Sequence, residues 1–206
     1  MASVQQPQVF NDKQKAAIEK AMQDAQNVLS NNDNAKADGQ YQLVAVGGVM
    51  ENDLHRPIRL MKTHSAKGQF VTNPSGTIGG EALGVFVHQG ATSHGHLPLV
   101  VGSKCAIIYA TFDKMAPALG YLLAWDKPDD SNQVNKVYVE AGDPYKLEKM
   151  EWSEIEKKLD ASTDKSRYYD NNATFAAAVA EIKDNGNKRA LVAATFYQAG
   201  IIDPKP

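Results

Sequence analysis

Four dense apolar runs lie close together between Gly84 and Glu140: GVFVH (84–88), KCAIIYAT (104–111), GYLLAW (120–125) and NKVYVE (135–140). Each has the length of one strand and is closed by glycine, proline or polar residues, so the pattern predicts paired strands that carry the core. KCAIIYAT is apolar at nearly every position, which predicts a strand covered on both faces. In NKVYVE, Val137 and Val139 point one way and Lys136, Tyr138 and Glu140 the other. Upstream, YQLVAVGGVM (41–50) reads as a first strand, with Gly47-Gly48 marking a bulge or a close backbone approach. IRLMKTH (58–64) returns as its hairpin partner with Ile58, Leu60 and Met61 inward. A short strand is expected at QFVT, and KRALVAATFYQ (188–198) is the closing strand.

Helical spacing occurs in three places. Asn11 and Gln14 form a capping box, after which Ile18, Ala21, Met22, Ala25, Val28 and Leu29 line one face of a helix over 11–29. It would be about 28 Å long at 1.5 Å per residue, and NNDNAKADGQ (31–40) tethers it. Its half-alanine stripe and the lack of aromatic and Lys-rich flanks favour docking against the body of the protein over insertion into a membrane. In MEWSEIEKKLD (150–160), Trp152, Ile155 and Leu159 share a face. A third helix is expected near 173–184, where FAAAVAEIKD places Phe175, Val179 and Ile182 at helical spacing before Asn185-Gly186. The order of elements predicts a β-rich α+β fold, an antiparallel β-sandwich flanked by the N-terminal amphipathic helix and two helices in the C-terminal half. Residues 1–206 are expected to form one domain, with the sandwich over 41–198.

Composition narrows the partners. With 43% apolar residues in 206 and a formal charge of −2, the chain can bury a large core and has no global positive field, so nucleic acid is not an expected partner. Cys105 is the only cysteine, which excludes an internal disulfide, and its neighbours Ala106, Ile107 and Ile108 predict a buried thiol. MASVQQPQVF has no charged n-region and no apolar h-region, so cytoplasmic synthesis is expected, with action on external membranes left open.

Candidate chemistry is sparse. His88, His94 and His96 are expected on a solvated polar loop, since no cysteine or acidic residue accompanies them as a zinc or copper ligand, and they could titrate near pH 6.5. Trp125-Asp126-Lys127-Pro128-Asp129-Asp130 reads, on the residues alone, as a core tryptophan followed by a solvated turn, ahead of the alternative of a polar ligand site. There is no G-x-S-x-G elbow, P-loop, H-E-x-x-H or paired-cysteine motif, so no catalysis, cofactor or metal is expected.

The succession GGVMENDLHRPIRLMKTHSAKGQF, GVFVH, AIIYA, YLLAWDKP and NKVYVEAG, roughly residues 41–160, resembles the actinoporin-like and aegerolysin-like β-sandwich superfamily, and within it plant proteins of the jasmonate-induced type. The resemblance implies a membrane-targeting, pore-forming defence or toxin-like protein, insecticidal or cytolytic. The helix 11–29 would insert and assemble as a homo-oligomer on the membrane. It also implies lipid contacts at the loop carrying Trp125, Asp126 and Pro128, at Tyr138, and at Trp152. Where relatives carry a tyrosine cluster, this chain has Glu154, Glu156, Lys157 and Lys158, and its exit loop is acidic at Asp126, Asp129 and Asp130. These departures shift the expected partner from a lipid head group toward a glycan or protein receptor. The alternative expectation is therefore a non-lytic, lectin-like stress or defence module.

Overall fold

The computed structural model describes residues 43–90, 101–112, 117–171, 174–186 and 188–199. In chain order these form β1 (Ala45–Asn52), β2 (Ile58–Lys67), β3 (Gln69–Thr72), β4 (Thr77–Ile78), β5 (Ala82–Gln89), β6 (Ser103–Thr111), β7 (Gly120–Lys127), β8 (Lys136–Gly142), helices α1 (Pro144–Glu148) and α2 (Trp152–Asp160), then β9 (Lys165–Tyr169), β10 (Ala176–Asp184) and β11 (Arg189–Gln198). Two sheets result, ordered β3-β5-β1-β11-β10-β9 and β4-β2-β6-β7-β8.

Alternation along the strands builds the core between them. Val46 and Met50 of β1, Phe86 of β5, and Ala178, Ile182, Val192 and Phe196 of β10 and β11 face Cys105, Ile107, Tyr109, Leu123, Trp125, Val137 and Val139 of the other sheet. The remaining side chains of β6 and β7, Ala106, Ile108, Leu122 and Ala124, lie under Leu147 of α1 and Met150, Ile155 and Leu159 at α2. KCAIIYAT is thus covered on both faces. A Cβ at Gly48 would fall on the Phe86 ring, so the expected close approach is real.

Four expectations are corrected. FAAAVAEIKD is the strand β10 and not a helix: Ala176, Ala178, Ala180 and Ile182 face inward, while pairing with β9 and β11 satisfies its backbone. Alanine favours helix by only tenths of a kcal/mol per residue, roughly, and strand preference is set by packing and burial in the sheet more than by the residue itself. The segments 41–50 and 58–64 are not a hairpin, because β1 and β2 belong to different sheets. The Asn52 amide pins the crossover by donating to the carbonyls of Arg56, Ile78 and Gly79 at 2.9, 3.2 and 2.7 Å. The sandwich is not wholly antiparallel, since β1 and β11 pair in parallel. A register shift between Leu60 and Lys62 turns Met61 outward while Leu60 stays against the core. The expected helix 11–29, its tether 31–40, and His94 and His96 lie outside the described residues.

Candidate functional site

The outer side of the five-stranded sheet carries the chemistry. Asp143 caps α1 by accepting from the backbone N–H of Tyr145 at 2.8 Å, and Lys62 of β2 donates to the carbonyl of Glu148 at 3.0 Å, closing the other end of that helix. The turn Lys149–Glu151 then starts α2 with Trp152 beside β2. The Trp152 and His64 rings stack at 4.5 Å between centroids and 8° between planes. Together with Lys62, Met150 and Glu151 they line an open groove of about 70 Å³ whose floor is Ala106, Ile108 and Ile155. Glu151 is exposed and makes no side-chain cap bond to α2. The groove therefore offers an ammonium, a carboxylate and a half-buried aromatic pair at one place.

Tyr138 is on the same side but committed to structure. Its hydroxyl donates to Glu140 Oε2 at 2.6 Å, and Lys158 Nζ donates to the same oxygen at 2.7 Å from α2. Burial, then the hydrogen bond to Glu140 and its charge, holds the Tyr138 phenol far above its ordinary range. Asp126 meets Lys104 Nζ at 3.2 Å, and the same ammonium reaches Glu156 at 2.9 Å and Asp160 at 3.1 Å. Burial alone would lower the Lys104 pKa, yet these carboxylates raise it, so the lysine stays charged and clamps α2 to the sheet.

Trp125 is on the inner side. Its ring is fully buried, stacks on Phe86 at 4.6 Å and donates from Nε1 to Ser103 Oγ at 3.0 Å. An enclosed ring cannot grip a head group, and this is the core-tryptophan reading. Pro128 is half-buried at the start of the exit loop, whose Asp129 pairs with Lys188. The structure thus brings Asp126, Tyr138 and Trp152 to one side of a sheet and sets Trp125 behind it. His64 and Lys62 are additions that the sequence did not single out; their partners lie far along the chain, and no local pattern marks them.

His88 is not on a solvated loop but buried between two hydroxyls, Ser103 at 2.8 Å from Nδ1 and Ser65 at 3.2 Å from Nε2. Burial lowers its pKa to about 4, so the ring is neutral. Among the described residues, no group of three or more His, Cys, Asp or Glu is arranged to hold a metal ion.

Comparison with known proteins gives the relationship. The crystal structure of the lipid binding protein Nakanori superposes with a TM-score of 0.61 at 20% identity, covering 91% of this chain and 87% of that one. A lectin of Xerocomus chrysenteron superposes with a TM-score of 0.48 at 5% identity, covering 76% and 99%. A jasmonate-induced protein homolog of Atriplex canescens is 31% identical over 98 residues, which are 46% of this chain and 49% of the relative, so the chain spans about half the length of that protein. The Nakanori-like protein family matches residues 5–192, nearly the whole chain, and the chain belongs to that family.

Proposed function

We propose that this protein binds lipid at a membrane surface without catalysing a reaction, and that the groove beside Trp152 receives the head group. The observation that carries this reading is the stacked Trp152–His64 pair in a groove that Lys62 and Glu151 also line. An ammonium and a carboxylate on one groove complement the phosphate and amine of a zwitterionic head group, and the aromatic pair beside them attracts an alkylammonium. Membership of a family whose solved relative is the lipid binding protein Nakanori supports the same class of partner.

The test is sedimentation with phosphatidylcholine vesicles, with phosphatidylethanolamine and phosphatidylserine vesicles alongside. Trp152→Ala is expected to weaken partitioning roughly tenfold, the equivalent of the ~1–2 kcal/mol of a desolvated cation over an indole. Trp152→Phe, which keeps an aromatic face, retains most of it. Equal partitioning by the wild type and a folded Trp152→Ala variant would remove the groove from the mechanism. Saturable binding to glycans or a membrane protein, with bare vesicles ignored, would replace lipid with a receptor. The proposal extends to permeabilisation: the arm 11–29 inserts after docking, and copies of the chain assemble into a pore.

A further inference from the structure

The sandwich has two ends with different surfaces. At one end β1 finishes at Asn52, β2 starts at Ile58, β6 finishes at Thr111, β7 starts at Gly120, β8 finishes at Gly142, β9 finishes at Tyr169, β10 starts at Ala176 and β11 finishes at Gln198. Strand registers hold these positions level within each sheet, through Ile58↔Thr111, Gly120↔Gly142, Asn52↔Phe196 and Ala177↔Tyr169. Tyr121 at the start of β7 ties the two sheets together there by donating to the carbonyl of Tyr197 at 3.0 Å.

Every exposed aromatic side chain among the described residues is at this end. Phe112 follows β6 and is 53% exposed, Tyr145 opens α1 at 60%, Tyr169 ends β9 at 45%, and Phe175 precedes β10 at 48%. They come from both sheets and a helix, so no single turn accounts for their convergence. The turn that carries Phe175 is fastened. Thr174 donates from N and Oγ1 to Asp170 at 3.1 and 2.6 Å, Asp170 N donates to the Ala176 carbonyl at 2.9 Å, and Ala199 N donates to the Phe175 carbonyl at 2.9 Å. Phe175 itself is held at φ 55°, a left-handed conformation that a bulky side chain adopts only under constraint. The strained backbone and the exposed ring thus occur at the same residue.

The opposite end is charged. Lys127 pairs with Asp184 at 3.0 Å, Lys188 with Asp129, and Lys104 with its three carboxylates. Val134 is the one large apolar side chain exposed there among the described residues, at 70%.

We infer that the aromatic end is the face of the protein that enters the membrane interface, with the strands standing up from the bilayer and the charged end in water. The inference rests on the lipid-binding reading above. Phenyl and phenol rings in a rim favour the zone between head groups and acyl chains. The described ionic groups at this end, Arg56, Arg59 and Lys146 beside Asp53, Glu81, Asp143 and Asp170, give no cationic excess, so apolar insertion and not attraction to anionic lipid is the driving term. The groove lies about midway up the outer face of the five-stranded sheet. Ile108, on its floor, is three residues from Thr111 at the end of β6, roughly 10 Å at 3.3 Å per residue. Trp152 stacks on His64, whose partner Ala106 is five residues from Thr111, so it stands roughly 16 Å up the outer face from the rim.

The test uses the one native thiol to advantage. Cys105 is buried and its pKa is pushed up to about 12, so it does not compete for a maleimide. Asn171→Cys, in the turn between Tyr169 and Phe175, and Val134→Cys, at the far end, are each labelled with an environment-sensitive fluorophore in the full chain and mixed with phosphatidylcholine vesicles. A blue shift and quenching by brominated lipid at position 171, with none at 134, is the expected result. Phe112→Ala combined with Phe175→Ala should lower partitioning by at least roughly tenfold with an unchanged melting curve, since each ring leaves water on binding, and raising the salt should leave partitioning unchanged. Sedimentation with vesicles while position 134 responds, or while neither position does, overturns the orientation and leaves lipid binding standing. No sedimentation with any vesicle overturns both.

Discussion

His88 is the residue whose environment makes the sharpest prediction. Its ring lies edge-on to Phe70 at 4.8 Å and to Trp125 at 5.6 Å, and its nitrogens meet only the Ser103 and Ser65 hydroxyls. The titratable neighbour on that chain of contacts is Cys105, 3.7 Å from Ser65, whose thiol burial keeps protonated and neutral. No carboxylate therefore faces an imidazolium formed here. A folded pKa of about 4 against an ordinary 6.5 means that the unfolded chain takes up this proton first as pH falls. The stability associated with a neutral His88 is complete above about pH 6.5 and declines through the window down to about pH 4, a loss of about 3 kcal/mol over the two and a half units at 1.36 kcal/mol each. Urea titrations followed by the fluorescence of Trp125 and Trp152 together should show this acid limb, and His88→Gln should flatten it whatever it does to stability at neutral pH. An unchanged acid limb in the Gln variant would assign the slope to other groups.

At the scale of elements, α2 is held to the sheet from both sides: Ile155 and Leu159 pack on β6 and β7, and Lys104 gathers Glu156 and Asp160 of the helix with Asp126 of β7. Lys104→Met keeps the stem and removes the charge, leaving three carboxylates close together. The cost is set by the buried lysine but tempered by the exposure of Glu156 and Asp160, so roughly 1–3 kcal/mol is expected. Hydrogen exchange should quicken in the α2 amides before the sheet responds; equal protection in both proteins would show that apolar packing alone fixes the helix. This helix was legible in the sequence because Trp152, Ile155 and Leu159 repeat at its period, and the strands of 84–140 were legible because β-branched and aromatic residues crowd them. The segment 175–184 misled because alanine marks neither period, leaving Phe175, Val179 and Ile182 to imitate a helix face. In the fold Phe175 lies outside the strand, and Val179 and Ile182 lie on opposite faces of it. Sheet membership was harder still: ENDLHRP reads as a hairpin turn, whereas the strand pairing puts β1 and β2 in different sheets and the three bonds of the Asn52 amide hold the crossover between them. The groove was half legible. Trp152 stood out as an aromatic on an amphipathic helix, whereas His64 acquires its meaning from a ring contact across the fold that no spacing encodes.

For the whole molecule, seating the aromatic end on a bilayer leaves the rest of the chain to decide between surface binding and insertion. No described helix is long and apolar enough to cross a bilayer, a statement that leaves strands and the undescribed residues aside. The alanine-rich stripe Ile18, Ala21, Met22, Ala25, Val28 and Leu29 is the part of the sequence with the periodicity and reach to extend the contact inward. A charge placed on that stripe separates surface binding from insertion, because an aspartate near the centre of an inserted helix costs ~2.5–3.5 kcal/mol while the groove and the aromatic rim remain as they were. The expected outcome for Ala21→Asp combined with Ala25→Asp is vesicle sedimentation like that of the wild type, with release of an entrapped dye reduced by at least roughly tenfold. Loss of sedimentation as well would make the arm part of the docking surface. Undiminished dye release would show that permeabilisation does not pass through residues 11–29. Vesicles that bind the wild type and never leak would limit the protein to recognition of the membrane surface, with the sandwich alone sufficient for it.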